Sequence, residues 1–310
     1  MATETDAGVQ LIEAARSLAP RIRELAPQIE KDGQLPAELV DTMRSAGFFH
    51  LMLSPEVGGC DVDPVTAARV VEEVAAADGS AGWCLMIAAQ TAGFAGLLSP
   101  EQARTVYGNG GIVAGVANPI GRAIPASSPE EGYVATGRWP FASGSSHANW
   151  FAGECTVYDG DQPAKDENGN EVLRLAFVSR DQVTVHQTWN TTGLRGTASN
   201  DFSIDGVFVP AARAVSMDFA GQDAPILRAM PLLFINHGGH ALGVARGAIE
   251  SATAIAKKKR GWGGVPLQDT ARLQAALAEA TVLVESAAEH LYGAAGRLWQ
   301  QAMAGGTDAG

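Results

Sequence analysis

Residues 137–150, GRWPFASGSSHANW, place aromatic rings among glycines, hydroxyl groups and a histidine. If this stretch is an extended strand, Phe141 and Ser143 point to the same face because side chains alternate along a strand, and one ligand can contact both. Gly144 then lets the main chain approach that ligand closely. In the alternative interpretation Phe141 packs in a core and Ser143 caps a turn. The block is therefore either one wall of a pocket for a flat aromatic molecule or a simple strand and turn.

Three histidines and an arginine are further candidates for chemistry. His237 and His240 lie three residues apart and share one helix face, where they serve either as acid/base or hydrogen-bonding groups at a pocket or as packing residues. His147 follows the block and either contacts a cofactor or ends the turn. Arg195 lies in a glycine-rich loop, where it binds a phosphate, organises a subunit contact or is structural. No third ligand lies near the two helical histidines, so no metal site is predicted.

The composition argues against several classes of partner. The chain has 310 residues, 46% of them hydrophobic, and a formal net charge of -12. Its one dense basic run is 257–260, so neither nucleic acid nor a membrane surface is expected as the main partner. The three cysteines lack Cys-x-x-Cys spacing, which predicts no disulfide framework and favours a reducing cytoplasm. Residues 81–98 are uncharged and predict a helix buried inside the protein rather than a membrane span.

The pattern of apolar residues and turn signals changes twice along the chain and predicts three domains. Residues 1–113 predict an α-helical domain, with helix starts at Asp63-Pro64 and Ser99-Pro100. Residues 114–223 alternate with period two and predict a β-domain. Its strands are expected at 112–118, 133–139, 150–157, 172–178 and 202–209. Residues 224–310 predict two long antiparallel helices, at about 227–259 and 267–303, which cannot close a core alone.

Four motifs, in this order, resemble those of the acyl-CoA dehydrogenase superfamily. The resemblance covers nearly the whole chain and implies an α+β fold with an N-terminal helical domain, a central β-barrel or sandwich, and a C-terminal helical bundle. That bundle is expected to be incomplete here, because family members continue for another pair of helices. The motifs are PEVGG at 55–59, ANP at 117–119, the 137–150 block and TTGLRGTASNDFSIDGVFVP at 191–210.

The resemblance also implies roles for single residues. It places Phe141 against the isoalloxazine ring of a flavin and the Ser143 hydroxyl near flavin N5. Arg260 resembles a basic residue that contacts the flavin phosphates across a subunit interface. The expected catalytic residues are Ser143, His237 and His240, and the expected substrate pocket contains Trp83, Gln90 and Trp139. The expected cofactor-binding residues are Asn118, Phe141, Ser143, Gly144, His147, Arg195 and Arg260.

Within the superfamily, the sequence resembles the two-component flavin monooxygenases more than the dehydrogenases. The position of a dehydrogenase glutamate base aligns near Leu233, and the threonine that dehydrogenases offer the flavin is Ala117 here. Residues 82–84, 138–144 and 193–197 closely resemble the corresponding segments of the monooxygenases. In those enzymes a separate NAD(P)H:flavin reductase supplies reduced FMN or FAD, O2 adds at C4a, and the hydroperoxide oxygenates an organic substrate.

The function implied by this resemblance is hydroxylation of a small aromatic or polyketide-like molecule by a homo-oligomer, which by resemblance is a tetramer. A serine at N5 in a dry pocket would protect the hydroperoxide from being lost as peroxide. Two alternatives stay open. One is an acyl-CoA dehydrogenase or oxidase that uses FAD, and the other is a non-catalytic assembly subunit.

Overall fold

The N-terminal part of the chain is helical. A computed structural model describes residues 6–128, 130–217, 226 and 229–305. The predicted domain boundary at 223/224 and the predicted helix start at 227 lie outside those residues. Helices α1 to α5 span Asp6–Asp32, Ala37–Ser45, Pro64–Ala77, Gly79–Ala92 and Pro100–Tyr107.

The starts of three of these helices follow from side-chain caps. Asp63 accepts hydrogen bonds from the amides of Val65 and Thr66 at the start of α3. Asp78 and Ser99 cap α4 and α5 in the same way. Most residues of α4 are buried, as expected for a helix that is apolar on all sides. Among the described residues, no helix combines the length and the hydropathy that crossing a membrane requires.

The central part of the chain forms an eight-stranded sheet. Strands β1 to β8 span Val113–Ala126, Gly132–Ala142, Trp150–Asp159, Gln162–Pro163, Leu173–Ser179, Thr184–His186, Asn200–Pro210 and Ala214–Val215. Their order is β6-β7-β2-β1-β3-β5-β8, with β4 paired to β3. β1 and β3 are parallel and the other pairs are antiparallel. The succession of helices, sheet and helices confirms the predicted fold class.

Two long helices, α6 (Ile235–Lys258) and α7 (Ala271–Met303), follow the sheet. Three glycines four residues apart, Gly239, Gly243 and Gly247, face α3 along α6. A Cβ on any of them would collide with a main-chain carbonyl oxygen of α3. The missing side chains therefore let α6 lie directly on the α3 backbone, which fixes the position of the neighbouring histidines.

Trp139 is the anchor of the sheet's core. Its indole is fully buried, stacks on Phe202 with ring centroids 4.9 Å apart, and donates a hydrogen bond to the Glu154 carbonyl. Glycines of three adjacent strands make room for the ring: Gly121 of β1, Gly137 of β2 and Gly153 of β3. The indole therefore fills the space that those three side chains would otherwise need.

Substituting Gly153 tests this packing. A Cβ there would lie 2.6 Å from Cε2 of Trp139, so we expect Gly153→Ala to lower the free energy of unfolding by about 1–3 kcal/mol. The control is Gly296→Ala on α7, where a Cβ meets nothing within 4 Å. Helix propensity should make that variant about as stable as the wild type or up to about 1 kcal/mol more stable. Urea denaturation of the two variants measures both effects, and equal stabilities would contradict the packing argument.

Candidate functional site

Three parts of the chain meet at the side chain of Trp83, on α4. Its Nε1 donates a hydrogen bond to Oγ of Ser143, which follows β2, at 2.9 Å. Its ring lies edge-on to two imidazoles of α6, with centroids 5.2 Å from His240 and 6.0 Å from His237. The structure thus brings together four of the residues that the sequence singles out.

Ser143 reaches Trp83 through a sharp turn rather than through strand alternation. Phe141 has φ of 64°, and the β2–β7 register shifts between Trp139 and Ala142. The Ser143 amide then donates to the Phe141 carbonyl at 2.9 Å. As a result Ser143 is 8% exposed while Phe141 is 69% exposed. The expectation that alternation puts both side chains on one strand face is therefore wrong, because the positive φ of Phe141 and the turn that begins at Ser143 interrupt the alternation.

Two hydroxyl residues that the sequence analysis missed continue the contacts of Ser143. The Oγ atoms of Ser143 and Ser199 are 2.7 Å apart, and Ser199 Oγ is 2.7 Å from Thr197 Oγ1. Thr197 Oγ1 donates to the Leu194 carbonyl at 2.9 Å. Both residues lie within the 191–210 motif, and their hydroxyl side chains are the one signal that marks them.

The two histidines of α6 differ in their hydrogen bonding. His240 Nε2 donates to the Gly79 carbonyl at 2.9 Å, and burial lowers the pKa of His240, so its imidazole is neutral at pH 7. Nδ1 of His237 is buried without a hydrogen-bond partner among the described residues. The same holds for Oε1 of Gln90, which lies two helical turns after Trp83 on the same side of α4. Both atoms are thus buried polar groups whose hydrogen-bonding capacity is unused within the described part of the chain.

His147 packs beneath the turn that carries Ser143. Its ring lies 5.9 Å from that of Phe49, and a Cβ on Gly144 would come within 3.0 Å of its Nε2. Burial, and then the nearby charges of Arg44 and Arg180, lower the pKa of His147 to about 4. This imidazole is therefore neutral, and it packs against the turn at Gly144.

The remaining predicted site residues have other surroundings. Trp139 is in the core of the sheet, so it is absent from this cluster. Asn118 is exposed on β1, beside a register shift between β1 and β3. Arg195 pairs with Glu30 of α1, which favours the structural interpretation of this arginine. Arg260 is exposed after the end of α6 and donates to the Gly264 carbonyl.

A cavity of about 290 Å³ lies elsewhere, between α1, α3, α6 and α7. Several of its charged groups pair with one another. Arg246 pairs with Glu72 and Glu73, Arg16 pairs with Glu73, and the Tyr292 hydroxyl donates to Glu72. The network joins these helices and is structural.

The buried His147 makes a prediction about pH dependence. Its pKa is about 4 in the folded protein and about 6.5 when unfolded, so the unfolded chain takes up the proton first as the pH falls. Stability is therefore lost below about pH 6.5, by about 2–3 kcal/mol at pH 4.5. We expect the His147→Gln variant to lose less stability than the wild type between pH 7 and pH 4.5, by that same amount. Urea denaturation at pH 7 and pH 4.5 checks it, and parallel losses in wild type and variant would contradict it.

Comparisons with known proteins agree with this architecture. Residues 5–106 match the acyl-CoA dehydrogenase N-terminal domain and residues 235–308 match the acyl-CoA dehydrogenase C-terminal domain. The oxygenase subunit HsaA of a flavin-dependent monooxygenase from Rhodococcus jostii is 30% identical over 201 residues, 64% of this chain and 50% of that protein. Indole-3-acetate monooxygenase from Pseudomonas putida is 28% identical over 300 residues, 94% of this chain and 74% of that protein.

A solved structure supports the same fold. XiaF from Streptomyces sp., in complex with FADH2 and glycerol, superposes with a TM-score of 0.84 at 20% identity over 96% of this chain and 77% of that one. The alignment with HsaA spans only half of that protein's length. Because the N-terminal and the C-terminal domain models both match and together cover more than half of the chain, this chain belongs to the acyl-CoA dehydrogenase superfamily.

Proposed function

We propose that the protein is the oxygenase component of a two-component flavin monooxygenase that hydroxylates a small aromatic molecule. A separate NAD(P)H:flavin reductase delivers the reduced FMN or FAD. The overall reaction converts substrate, O2 and reduced flavin to hydroxylated substrate, water and oxidised flavin. The observation that carries the proposal is the buried Ser143 hydroxyl beside the exposed ring of Phe141.

The residues present fit a flavin. The exposed ring of Phe141 offers a flat apolar surface, with the Trp189 ring edge-on at 6.3 Å. The hydrogen bond from the Ser143 amide to the Phe141 carbonyl holds this surface in a fixed relation to the Ser143 hydroxyl. A flat heteroaromatic ring with a polar group at its edge matches both. When bound, the reduced flavin supplies the two electrons that activate O2.

We assign the chain's own residues as follows. Phe141 packs on the flavin ring, Ser143 hydrogen-bonds its N5 edge, and Gly144 and His147 hold the turn that presents them. Asn118 and Arg260 remain proposed contacts to outer parts of the cofactor, with Arg260 acting across a subunit interface. The contacts of Arg195 with α1 support a structural role in place of direct binding.

The substrate side of the site is formed by α4 and α6. The unpartnered atoms of Gln90 and His237 suit a polar group of the substrate, because buried polar atoms are normally paired. His240, held neutral by burial and bonded to Gly79, positions the Trp83 ring. Leu233, near which a dehydrogenase base aligns, is 1% exposed and carries no titratable group. This favours oxygenation over removal of an α-proton from an acyl-CoA.

The activity is tested with the purified protein, a flavin reductase, NADH, FMN or FAD, and a panel of phenols and indoles under ¹⁸O2. The choice of panel follows the relative named for indole-3-acetate. The proposal expects a product that carries one ¹⁸O atom. Flavin bleaching by CoA thioesters without O2 would point to a dehydrogenase, and failure to bind reduced flavin would point to an assembly subunit.

Removing the Ser143 hydroxyl is expected to uncouple the reaction. Ser143→Ala deletes the hydrogen bond at the flavin edge, so we expect roughly tenfold less product per peroxide released, since one such bond contributes about 1–1.5 kcal/mol. Ser146→Ala is the matched control, because Ser146 lies in the same segment with only a long 3.5 Å contact to His147. Product and peroxide are quantified together. Equal coupling in both variants would exclude Ser143 from this role.

We also propose that the protein assembles into a homotetramer through α6 and α7. Val282 and Leu283 are 61% and 63% exposed on α7, and exposed apolar groups close together favour association. Leu283→Lys should shift the molar mass, measured by light scattering after size exclusion, toward smaller species. A monomeric wild type would contradict this proposal without affecting the assignment of the site.

A further inference from the structure

We propose that Thr197 and Ser199 are positioning residues that fix the direction of the Ser143 hydroxyl proton. Together they leave Ser143 Oγ with one open lone pair, which makes it a hydrogen-bond acceptor toward the ligand. The inference about the flavin rests on the proposed function. The inference about the proton arrangement rests only on the contacts of the chain.

The direction follows from donor and acceptor accounting that starts at Leu194. A carbonyl oxygen can only accept, so the single proton of Thr197 Oγ1 is used on the Leu194 carbonyl, 2.9 Å away. Thr197 Oγ1 must then accept from Ser199 Oγ at 2.7 Å. With its own proton committed, Ser199 Oγ accepts from Ser143 Oγ at 2.7 Å. The Ser143 proton therefore points away from the site.

The Ser143 hydroxyl, at the other end of this series of hydrogen bonds, is equally constrained. An indole nitrogen can only donate, so Trp83 Nε1 occupies one of the two lone pairs of Ser143 Oγ at 2.9 Å. One lone pair remains. Ser143 therefore meets an incoming ligand as an acceptor, and the ligand must offer an N–H or O–H group.

The surroundings prevent the chain of hydroxyls from reversing. Thr197 is 1% and Ser199 4% exposed, so water is not available as an alternative partner for either hydroxyl. The Thr197 carbonyl accepts from the Gly144 amide at 2.8 Å, and the Leu194 carbonyl also accepts from Trp189 Nε1 at 2.9 Å. The Leu194 carbonyl, which sets the direction, is thus held by Trp189 and by the Thr197 amide at 3.2 Å, and the Thr197 backbone is held by Gly144.

This arrangement discriminates between the oxidation states of a flavin. Reduced flavin carries a hydrogen on N5 and can donate to Ser143, whereas N5 of oxidised flavin carries only a lone pair. Two lone pairs that face each other repel, so the site should bind the reduced form more tightly. The residues that create this preference are Thr197 and Ser199, neither of which needs to touch the flavin.

The direct test needs no flavin. Neutron diffraction from the deuterated protein locates the deuterium on Ser143 Oγ, and we expect it to point at Ser199, with the deuterium of Ser199 pointing at Thr197. A deuterium on Ser199 that points at Ser143 would overturn the proposal. This result stands whether or not the protein proves to be a flavin enzyme.

The functional consequence is tested by flavin affinity. In Thr197→Val the Ser199 proton loses its acceptor and can turn to Ser143, which then can donate to oxidised flavin. We expect the ratio of Kd for oxidised flavin to Kd for reduced flavin to fall about tenfold in an anaerobic titration. A tenfold change corresponds to the free energy of about one hydrogen bond.

Two further variants control for structural damage. Thr197→Ser keeps the hydroxyl and should keep the wild-type ratio. Ser199→Ala frees the Ser143 proton by a different route and should lower the ratio as Thr197→Val does. An unchanged ratio in both hydroxyl-deleting variants would refute the positioning role. A wild type that binds neither flavin form would refute the proposed function, and the neutron map would still decide the direction of the hydroxyl chain.

Discussion

The indole of Trp83 is the contact on which the site depends. Its nitrogen bonds Ser143 at the end of β2, and its ring edges meet His237 and His240 of α6. Each of those partners is itself placed by a backbone constraint. The helix α6 lies close to α3 because glycines face it there, and Ser143 sits in a turn that a positive φ at Phe141 creates. The site is therefore a junction, and each of its three parts must be correctly folded before it exists.

Much of this junction could be predicted from the sequence. Caps such as Asp63 and Ser99 place helix starts by local chemistry, and period-two patterning locates the strands, since both signals act over a few residues. The three-residue spacing of His237 and His240 indicates correctly that they share a face. The 137–150 block and the 191–210 motif point to the superfamily that the domain models at 5–106 and 235–308 confirm.

What the sequence did not predict depends on contacts between distant residues. Alternation would put Trp139 and Phe141 on one face, yet Trp139 lies in the core and Phe141 is exposed, because the register shift between them is fixed by pairing with β7. Ser199 and Thr197 carry no periodic signal, and Ser199 reaches Ser143 across 56 positions of the chain. A single hydroxyl in a loop does not indicate its partner, so the hydroxyl chain becomes visible only in three dimensions.

The backbone of the site is strained, and the strain has a specific use. Phe141, Leu194 and Ala198 all have positive φ, at a cost of about 1–2 kcal/mol each for residues with a side chain. These three residues flank the hydrogen-bonded hydroxyls. Phe141 lies two residues before Ser143, Leu194 supplies the carbonyl that accepts from Thr197, and Ala198 separates Thr197 from Ser199. Relaxing any of them would move a donor or acceptor out of reach. The buried hydrogen bonds offset the strain. The strained backbone holds the three hydroxyls in one arrangement, so the proton on Ser143 is oriented before any ligand binds.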